Sequence, residues 1–141
     1  MRISTKGRYA LRLMIDLARR PENVPVSLKD VAERQDISLK YLEQIVGLLS
    51  KAGFVRSARG PQGGYRLARS PENYTVGEIL RLTEGNLAPV ACLEDPENHC
   101  ERRGQCGTVD FWSGLYTVIN QYIDRFTLAD LVAAERRKEQ K

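Results

Sequence analysis

The stretch that most limits how this chain can fold is the glycine-rich segment 59–64, which reads Arg-Gly-Pro-Gln-Gly-Gly. Glycine and proline favour tight turns and interrupt helices. Short runs typical of β-strands stand on either side, at residues 54–57 and 65–67. Two such runs joined by a glycine-containing turn are typical of a β-hairpin. The sequence therefore predicts a hairpin just before the middle of the chain.

Amphipathic helices are predicted ahead of this hairpin. Residues 5–20 carry a wide apolar face, and Pro21 ends that pattern. Ser27 is a candidate N-cap for a short helix that ends near residue 36. Ser38 is a second candidate N-cap, for a helix over residues 39–51. Two short helices joined by a tight turn and followed by a hairpin describe a winged helix-turn-helix, with the helix after Ser38 as the recognition helix.

Charge is divided unevenly between the two halves of the chain. Residues 1–70 contain 14 Lys and Arg against 6 Asp and Glu, whereas residues 71–141 contain 8 against 12. A basic amino-terminal half suits a polyanion such as DNA, through phosphate contacts and counterion release. Ordinary solvated surface charges are the alternative interpretation, so charge supports the motif without deciding the function.

The recognition helix and the hairpin supply the candidate DNA contacts. Lysine can meet a phosphate or guanine, glutamate can accept from cytosine, and glutamine can pair with adenine. Hydroxyl groups suit backbone phosphates, and an arginine at the hairpin tip suits the minor groove. The candidates are Ser38, Lys40, Tyr41, Glu43, Gln44, Arg56, Arg59 and Gly60. The alternative is a solvated helix face with no partner.

Three further segments follow the hairpin. A Thr75 to Glu78 capping box opens a helix that reaches about residue 84. Residues 85–107 have no obvious regular element, which is unusual for a compact domain and suggests a functional segment. Helices are predicted from 108 to 125 and after Thr127. The expected fold is mainly α with a small hairpin wing, divided into a DNA-binding domain (1–84), a cysteine loop (85–107) and a dimerisation and C-terminal region (108–141).

All three cysteines of the chain, Cys92, Cys100 and Cys106, lie in that loop among polar residues. Buried cysteines behave as small hydrophobic residues, so a polar setting points to thiol chemistry instead. A soft metal centre needs several sulfurs to converge on one point. Three thiols cannot close a four-cysteine site within one chain. His99, Asp110 and a residue of a partner subunit are the candidates for a fourth ligand.

Three interpretations of the thiols stay open at this point. An iron–sulfur cluster is the first, and the spacing of the cysteines alone does not separate iron from zinc. A zinc site of three cysteines plus His99 is chemically reasonable, although the ligand spacing is wide for zinc. Reversible disulfide formation, which needs only two of the three, would make the loop a redox sensor. His99 could equally be a solvated loop residue, and Asp110 a charge that suits the start of a helix.

The chain resembles a known family in three segments. Residues 1–10 (MRISTKGRYA), 37–44 (ISLKYLEQ) and 59–65 (RGPQGGY) are similar to the IscR-type (Rrf-two) bacterial transcription regulators, and the resemblance runs over nearly the whole chain. It implies a homodimer that binds a palindromic promoter site, with contacts from Ser38, Tyr41, Glu43, Gln44 and Arg59. It also implies that Glu43 helps to discriminate between operator types.

The same resemblance implies a cluster regulator, with [2Fe–2S] favoured over [4Fe–4S] and zinc less favoured. IscR-like relatives take their fourth ligand from a histidine three residues after the last cysteine, where this chain has Val109. Nitric-oxide-sensing relatives use an acidic residue near the partner's amino terminus, where this chain has Arg8. The expected function is a regulator that senses cluster status, redox state or nitric oxide.

The helix after residue 108 carries an apolar stripe with members three and four residues apart. A winged helix of some 75 residues already contains a core, so the aromatic residues Trp112, Tyr116 and Tyr122 are left over. Packing against the same helix of a second subunit would cover them, and two-fold pairing matches two half-sites on DNA. Covering the chain's own core is the alternative.

Other classes of function are disfavoured. No apolar run approaches the roughly 20 residues that span a bilayer, and the amino terminus lacks a secretory pattern, so a cytoplasmic protein without a membrane partner is expected. No nucleotide-binding loop or catalytic constellation is evident, so an enzyme is not expected. The alternatives are a thiol-switch or cysteine-metabolism repressor, acting with a cluster-assembly or cysteine-metabolism protein, and an iron–sulfur or zinc redox protein.

Overall fold

The computed structural model describes residues 2–140 of the protein. These residues contain six α-helices and one antiparallel hairpin. Met1 and Lys141, which belong to the first and last predicted segments, lie outside the described residues. The elements are α1 (Thr5–Ala18), α2 (Leu28–Gln35), α3 (Leu39–Lys51), β1 (Val55–Ala58), β2 (Gly64–Leu67), α4 (Val76–Glu84), α5 (Val109–Arg125) and α6 (Leu128–Glu139), with 3₁₀ turns at Pro71–Asn73 and Ala91–Leu93.

Local capping sets the start of the two helix-turn-helix helices, as the sequence predicts. The Ser27 hydroxyl accepts from the Asp30 N–H at 3.2 Å, and the Ser38 hydroxyl accepts from the Tyr41 N–H at 3.1 Å. Between them, Asp36 directly follows α2, and its φ of 53° is left-handed. A left-handed residue at a helix end reverses the chain tightly. The turn between α2 and α3 is therefore as short as the motif requires.

The main core lies between α1, α3 and the base of the hairpin. Tyr74 is fully buried, and its hydroxyl donates to the Phe54 carbonyl at 2.6 Å while it accepts from two backbone N–H groups. This side chain thus ties the two ends of the hairpin to the segment ahead of α4. The other large fully buried side chains of the core are Leu13, Met14, Val31, Leu42, Ile45, Leu49, Ile79 and Leu128.

The hairpin is held against the body through its second strand. In the β1–β2 register Arg56 lies opposite Arg66. Tyr65 exchanges two backbone hydrogen bonds of 2.8 Å with Val26, which extends the pairing by one bridge. At Gly64 a Cβ atom would overlap the Val26 carbonyl, so only glycine permits this approach. The wing is therefore fixed at its base by backbone contacts.

A second, smaller core joins α4 to α5. It contains Val76, Leu80 and Leu87, with Tyr116 and Ile123 packed against it. The sequence prediction left Tyr116 for a partner subunit, and here it is wrong: Tyr116 covers this chain's own core. Conversely Phe111 and Val118, which are not among the residues predicted to meet a partner, are exposed. The spacing correctly predicts a helix here, but which of its apolar side chains this chain covers depends on where α4 lies.

Other boundaries differ slightly from the prediction. The first helix ends at Ala18, two residues early, and the predicted structureless loop contains the Ala91–Leu93 turn and the buried Leu87. Helix α6 returns to the main core through Leu128, so the last predicted segment packs against the first. The division into three segments stays a prediction. None of the helices within residues 2–140 is both long and apolar enough to cross a bilayer.

Candidate nucleic-acid interface and thiol loop

The amino-terminal end of α3 presents polar side chains to solvent. Lys40, Glu43 and Gln44 are all exposed. They follow the exposed N-cap Ser38, whose hydroxyl is already engaged by the Tyr41 N–H but keeps a donor hydrogen for a further partner. The opposite face of α3 is buried. The structure thus brings four of the predicted contact residues together on the first turns of one helix.

Tyr41 is less open to DNA than its place among the predicted contacts implies. Its side chain is half-buried, and its ring meets Tyr9 edge to face, with 5.7 Å between ring centroids. Arg12 lies over the same Tyr9 ring at 5.3 Å. Edge-to-face pairs stabilise packing through their quadrupoles. Tyr41 therefore anchors α3 to α1 through its ring.

The wing carries the remaining predicted contacts. Arg56 on β1, and Arg59 and Gly60 in the turn, are exposed. Within residues 2–140 no ion pair engages Lys40, Arg56 or Arg59. Cations without an internal carboxylate partner keep their charge available for an external anion. The wing thus offers two positive side chains for this purpose, and the start of α3 offers one, Lys40.

A buried acid, which the sequence analysis missed, fixes α2 on α1. The Asp16 carboxylate is 2% exposed and accepts from Arg34 at 2.7 and 3.0 Å and from Gln35 at 3.1 Å. Burial opposes its ionisation, but the hydrogen bonds from Arg34 and Gln35 outweigh this and hold the pKa of Asp16 below its usual value. A single acidic residue within the apolar face of the first predicted helix is the sequence feature that could have revealed this contact.

The thiol loop brings part of the predicted ligand set together. Cys92, His99 and Cys100 line one shallow depression. Cys106 is not among its lining residues. All three cysteines are free, and no three His, Cys, Asp or Glu side chains of residues 2–140 converge on one point. The donor chemistry fits a soft metal centre, but gathering all three sulfurs requires the loop to rearrange.

Cys106 lies directly before α5 and contacts its first residues. Its sulfur is 3.2 Å from the Thr108 hydroxyl. Hydrogen bonds from the Thr108 side chain, and then from the Thr108 backbone, lower the pKa of the Cys106 thiol below its usual value. A lower pKa increases the fraction of thiolate, which is the reactive and metal-binding form. Thr108, predicted to open the helix, makes no capping bond.

The two candidate fourth ligands are placed differently. His99 lies beside Cys100 on the depression, whereas Asp110 is an exposed residue in the first turn of α5. An acid in the first turn is stabilised by the helix dipole without any metal. The geometry therefore favours His99 over Asp110 as a neighbour of Cys92 and Cys100.

Polar contacts hold α4, which precedes the thiol loop, against the amino terminus on one side and against α5 on the other. At the end of α4, the Glu84 carboxylate accepts from the Ser4 N–H and hydroxyl at 2.9 and 2.8 Å. On the same helix Arg81 donates to Asp124 of α5 at 2.7 and 2.8 Å, and to Asn120 at 2.9 Å. The carboxyl-terminal half of α5 is thus held on α4. Sequence patterns gave no sign of these pairs, because their members are 39–80 residues apart.

An apolar stripe runs along the outside of α5. Phe111 is 65% exposed, Val118 59% and Tyr122 54%, and Leu115 is also exposed. These residues are spaced by four, three and four, so they share one side of the helix. Monomeric proteins rarely expose a contiguous apolar surface of this kind. The stripe is therefore a candidate contact surface.

Comparison with known proteins identifies the family. A family model described as "Rrf2: Iron-dependent Transcriptional regulator" matches residues 3–134. Protein rrf2 of Nitratidesulfovibrio vulgaris is 41% identical over 133 residues, which cover 94% of this chain and 87% of that protein. The HTH-type transcriptional regulator CymR of Bacillus subtilis is also 41% identical over 133 residues, covering 94% of this chain and 91% of CymR.

Solved structures agree with the sequence comparison. The structure of B. subtilis CymR, called a global cysteine regulator, has a TM-score of 0.78 at 37% identity and covers 95% of this chain and 98% of that one. T. potens IscR has a TM-score of 0.76 at 40% identity, over 96% and 88% of the two chains. The predicted fold class is thereby confirmed, and membership among transcriptional regulators favours a non-enzymatic role. The chain belongs to the Rrf2 family of DNA-binding transcriptional regulators.

Proposed function

We propose that the protein is a homodimeric regulator whose affinity for a palindromic operator depends on an iron–sulfur cluster held by the loop cysteines. One observation carries the proposal: the segment that contains all three thiols leads directly into α5, the helix with the exposed apolar stripe. A change in the loop therefore acts on the surface through which two subunits would meet.

The DNA contacts fall into two groups. Lys40, Glu43 and Gln44 at the start of α3 would read base edges and phosphates in the major groove. Arg59, at the exposed tip of the wing, would enter the minor groove. Gly60 lets the backbone of the wing approach the duplex, and Ser38 and Arg56 would contact phosphates. Tyr41 can reach a phosphate only with its hydroxyl, because its ring is held against Tyr9.

Binding to DNA is tested on an operator selected by the protein itself from random duplexes. Gln44→Ala should weaken binding to that operator by about 1–3 kcal/mol, because a bidentate base contact is lost. Arg59→Ala should also weaken it and reduce the salt dependence of binding. Lys51→Ala, at the other end of α3, is the control and should bind normally. Mobility shifts in which Gln44→Ala and Arg59→Ala match the wild type would refute the assigned contacts.

The cluster would be held by Cys92, Cys100 and Cys106, with His99 as the fourth ligand from this chain. An iron–sulfur cluster supplies a centre that responds to oxidants, nitric oxide and iron supply. The thiol set suits iron and sulfide because thiolates are soft ligands, and the lowered pKa of Cys106 favours the ligating form. We favour [2Fe–2S] over [4Fe–4S] from the family resemblance.

Holding all three sulfurs on one centre has a structural consequence. Cys106 must approach the depression lined by Cys92 and Cys100, and Cys106 is joined to the start of α5. The amino-terminal end of α5 would therefore shift, and with it the angle between two subunits. Coupling of about 1–3 kcal/mol between the loop and DNA would change operator occupancy roughly tenfold.

A thiol switch without a cluster is the second candidate. It is favoured by the free, partly exposed cysteines and by the lowered pKa of Cys106, which would make this thiol the one that attacks. In that case Cys106 and one of the other two thiols would form a disulfide on oxidation. A protein of cluster assembly or cysteine metabolism as a partner rests on the resemblance alone.

Anaerobic reconstitution with iron and sulfide separates these functions. A bleachable visible band with iron and sulfide in equal amounts, lost in Cys92→Ser, supports the cluster. His99→Ala should alter the spectrum, whereas Asp110→Ala should leave it unchanged. Stoichiometric zinc without colour would contradict the cluster. Absence of metal together with a disulfide, found by mass spectrometry after oxidation, would instead establish the thiol switch.

A further inference from the structure

A cavity of about 280 Å³ lies at the base of the wing, away from the thiol loop. The last turn of α1, the connection that follows it and the residues after β2 enclose it. Three arginines, Arg20, Arg66 and Arg69, line it together with apolar side chains that include Leu17 and Leu67. Neither the proposed DNA contacts nor the cysteine site uses these three guanidinium groups.

Arg20 carries the strongest sign of a missing partner. Its Nε atom is buried and has no hydrogen-bond partner, and within residues 2–140 no other buried side-chain nitrogen or oxygen lacks one. No ion pair of the described chain includes Arg20. An unpaired donor of a charged group costs about 1–3 kcal/mol or more when it is buried. Because Nε itself is closed to solvent, an anion in the cavity would meet the other atoms of the Arg20 guanidinium.

The other two arginines are positioned by different means. The Arg69 guanidinium lies 4.4 Å from the ring centroid of Tyr74 and 5.0 Å from that of Phe54, and its Nη1 donates to the Asn73 carbonyl at 2.8 Å. Arg66 makes only a 3.3 Å hydrogen bond to Asn23. Arg69 is thus held rigidly, and Arg66 keeps most of its donors.

Nearby acids neutralise the cavity only in part. The buried Asp16 carboxylate interacts with the charge of Arg20, but it is already paired with Arg34. Glu78 accepts from Arg69 at 3.3 Å and offsets part of that charge. Glu22 and Glu72 also line the cavity, but both are exposed and form no ion pair within residues 2–140. Exposed charges are screened by water and salt. Three guanidinium groups line the cavity against these two exposed carboxylates, so its net charge is positive.

We propose that this cavity binds a small organic anion through a carboxylate or phosphate group. Guanidinium groups match the geometry of both groups with paired hydrogen bonds. The cavity exceeds the size of an inorganic ion, and its apolar walls would contact the ligand's carbon skeleton. A DNA phosphate is the competing occupant at Arg66, which lies opposite the proposed phosphate contact Arg56. It fits the rest of the cavity less well, because Arg69 is five residues beyond Gly64, about 17 Å along extended chain from the wing turn.

Occupancy of this site would affect the wing. A bound anion would join Arg20, which follows α1, to Arg66 on β2. Arg66 lies opposite Arg56 in the hairpin register, so fixing it also fixes the strand that carries a proposed DNA contact. The anion would thus act as an effector that is separate from the thiol loop.

Isothermal titration calorimetry at constant ionic strength tests the site, with inorganic phosphate and succinate as probes. The wild type should bind at least one probe saturably with a stoichiometry of one per chain. Arg20→Gln should weaken that binding about tenfold, as expected when a charged hydrogen bond worth about 1.4 kcal/mol is lost. Lys51→Gln removes one charge elsewhere and should bind as the wild type does.

A second variant and the comparison of the two probes complete the test. Arg66→Gln, on the hairpin, should weaken the same probe even if Arg20→Gln proves unstable. The binding of phosphate but not succinate identifies a phosphate ligand, and the reverse identifies a carboxylate. No saturable binding of either probe, or equal binding by all variants, would overturn the proposal. An apparent Kd of the probe that rises without limit as operator DNA is added would also overturn it, because direct competition would make the cavity a contact for the DNA backbone. An effector site gives a change in Kd that reaches a plateau.

Discussion

At the residue scale, Asp16 determines how the helix-turn-helix sits on the rest of the chain. Its carboxylate is buried, yet it stays ionised because Arg34 and Gln35 of α2 donate to it. Arg12 of α1 reaches back to the Gln35 side chain at 3.1 Å and also donates to the Gln35 carbonyl. One acid on α1 thus fixes the end of α2 and so the turn that leads to α3.

Asp16→Asn should reduce the free energy of unfolding by about 2–3 kcal/mol at neutral pH. Breaking a buried pair costs about 3–5 kcal/mol, and the 35% exposure of the Arg34 side chain lowers this figure. Urea denaturation measures the change, with Asp95→Asn in the exposed loop as the control. A loss no larger than that of Asp95→Asn would show that the pair does not hold α2.

The same carboxylate makes stability depend on pH. The pKa of Asp16 in the folded protein is below its ordinary value of about 3.9, so its contribution is complete above that value. The contribution is lost as the pH falls through the lowered pKa. The difference in stability between the wild type and Asp16→Asn should therefore narrow below about pH 4. A difference that is constant from neutral pH to about pH 3 would contradict the assignment.

At the element scale, the close approach of α4 and α5 depends on Gly77. A Cβ atom at this position would overlap the Asp124 carboxylate and come within 2.9 Å of Arg81 Nη1. These are the two groups that pair across the helices at 2.7 and 2.8 Å. Glycine in a helix otherwise costs about 1 kcal/mol relative to alanine. Gly77 leaves room for the ion pair between Arg81 and Asp124, which explains why a glycine is found in this helix.

Gly77→Ala should therefore destabilise the protein by about 1 kcal/mol, despite its better helix propensity, because Asp124 must move away from Arg81. Gly47 in α3 is the matched control, since nothing lies within 4 Å of the Cβ position there. Gly47→Ala should stabilise by about 0.5–1 kcal/mol. Thermal unfolding compares the two. An equal gain in both variants would mean that the α4–α5 contact adapts freely.

Elements were predictable where their determinants are local. The Thr75–Glu78 capping box and the Ser38 cap are set by residues three positions apart, and both are found. The faces that elements turn to one another were less predictable. The three- and four-residue spacing places Tyr116 on an apolar stripe but does not tell whether this chain or a partner covers it. The position of α4 decides that Tyr116 packs within this chain. The approach of Cys92 to Cys100, without Cys106, depends on loop contacts for which the sequence has no pattern.

At the scale of the whole molecule, the exposed stripe of α5 is the surface that a second copy would cover. Phe111, Leu115, Val118 and Tyr122 lie along one side, while Tyr116 and Ile123 face the chain's own second core. Two-fold pairing of this helix would place two α3 helices on one duplex. Binding both half-sites raises the affinity well beyond that of one subunit.

Val118→Glu should convert the dimer to a monomer, because it buries a charge at the centre of the stripe. Thr117→Glu is the control, since its side chain lies about 100° away around the helix. Analytical ultracentrifugation gives the mass, and operator affinity should fall about 100-fold in the Val118→Glu variant alone. A Val118→Glu protein that sediments as the wild type does would exclude this stripe as the subunit contact.

The two ends of α5 are attached very differently. At its carboxyl-terminal end the Phe126 carbonyl accepts from the Val76 N–H at 2.9 Å, and Arg81 donates to the Asp124 carboxylate. Its amino-terminal end, by contrast, emerges straight from the segment that contains Cys106. The 17 residues of α5 span about 25 Å, and Tyr116 near its middle packs against the second core. Under the proposed mechanism, a tilt of about 10° of the part ahead of Tyr116 would move the amino-terminal tip, about 10 Å away, by about 2 Å. A change at one sulfur would thus reach the start of the exposed stripe.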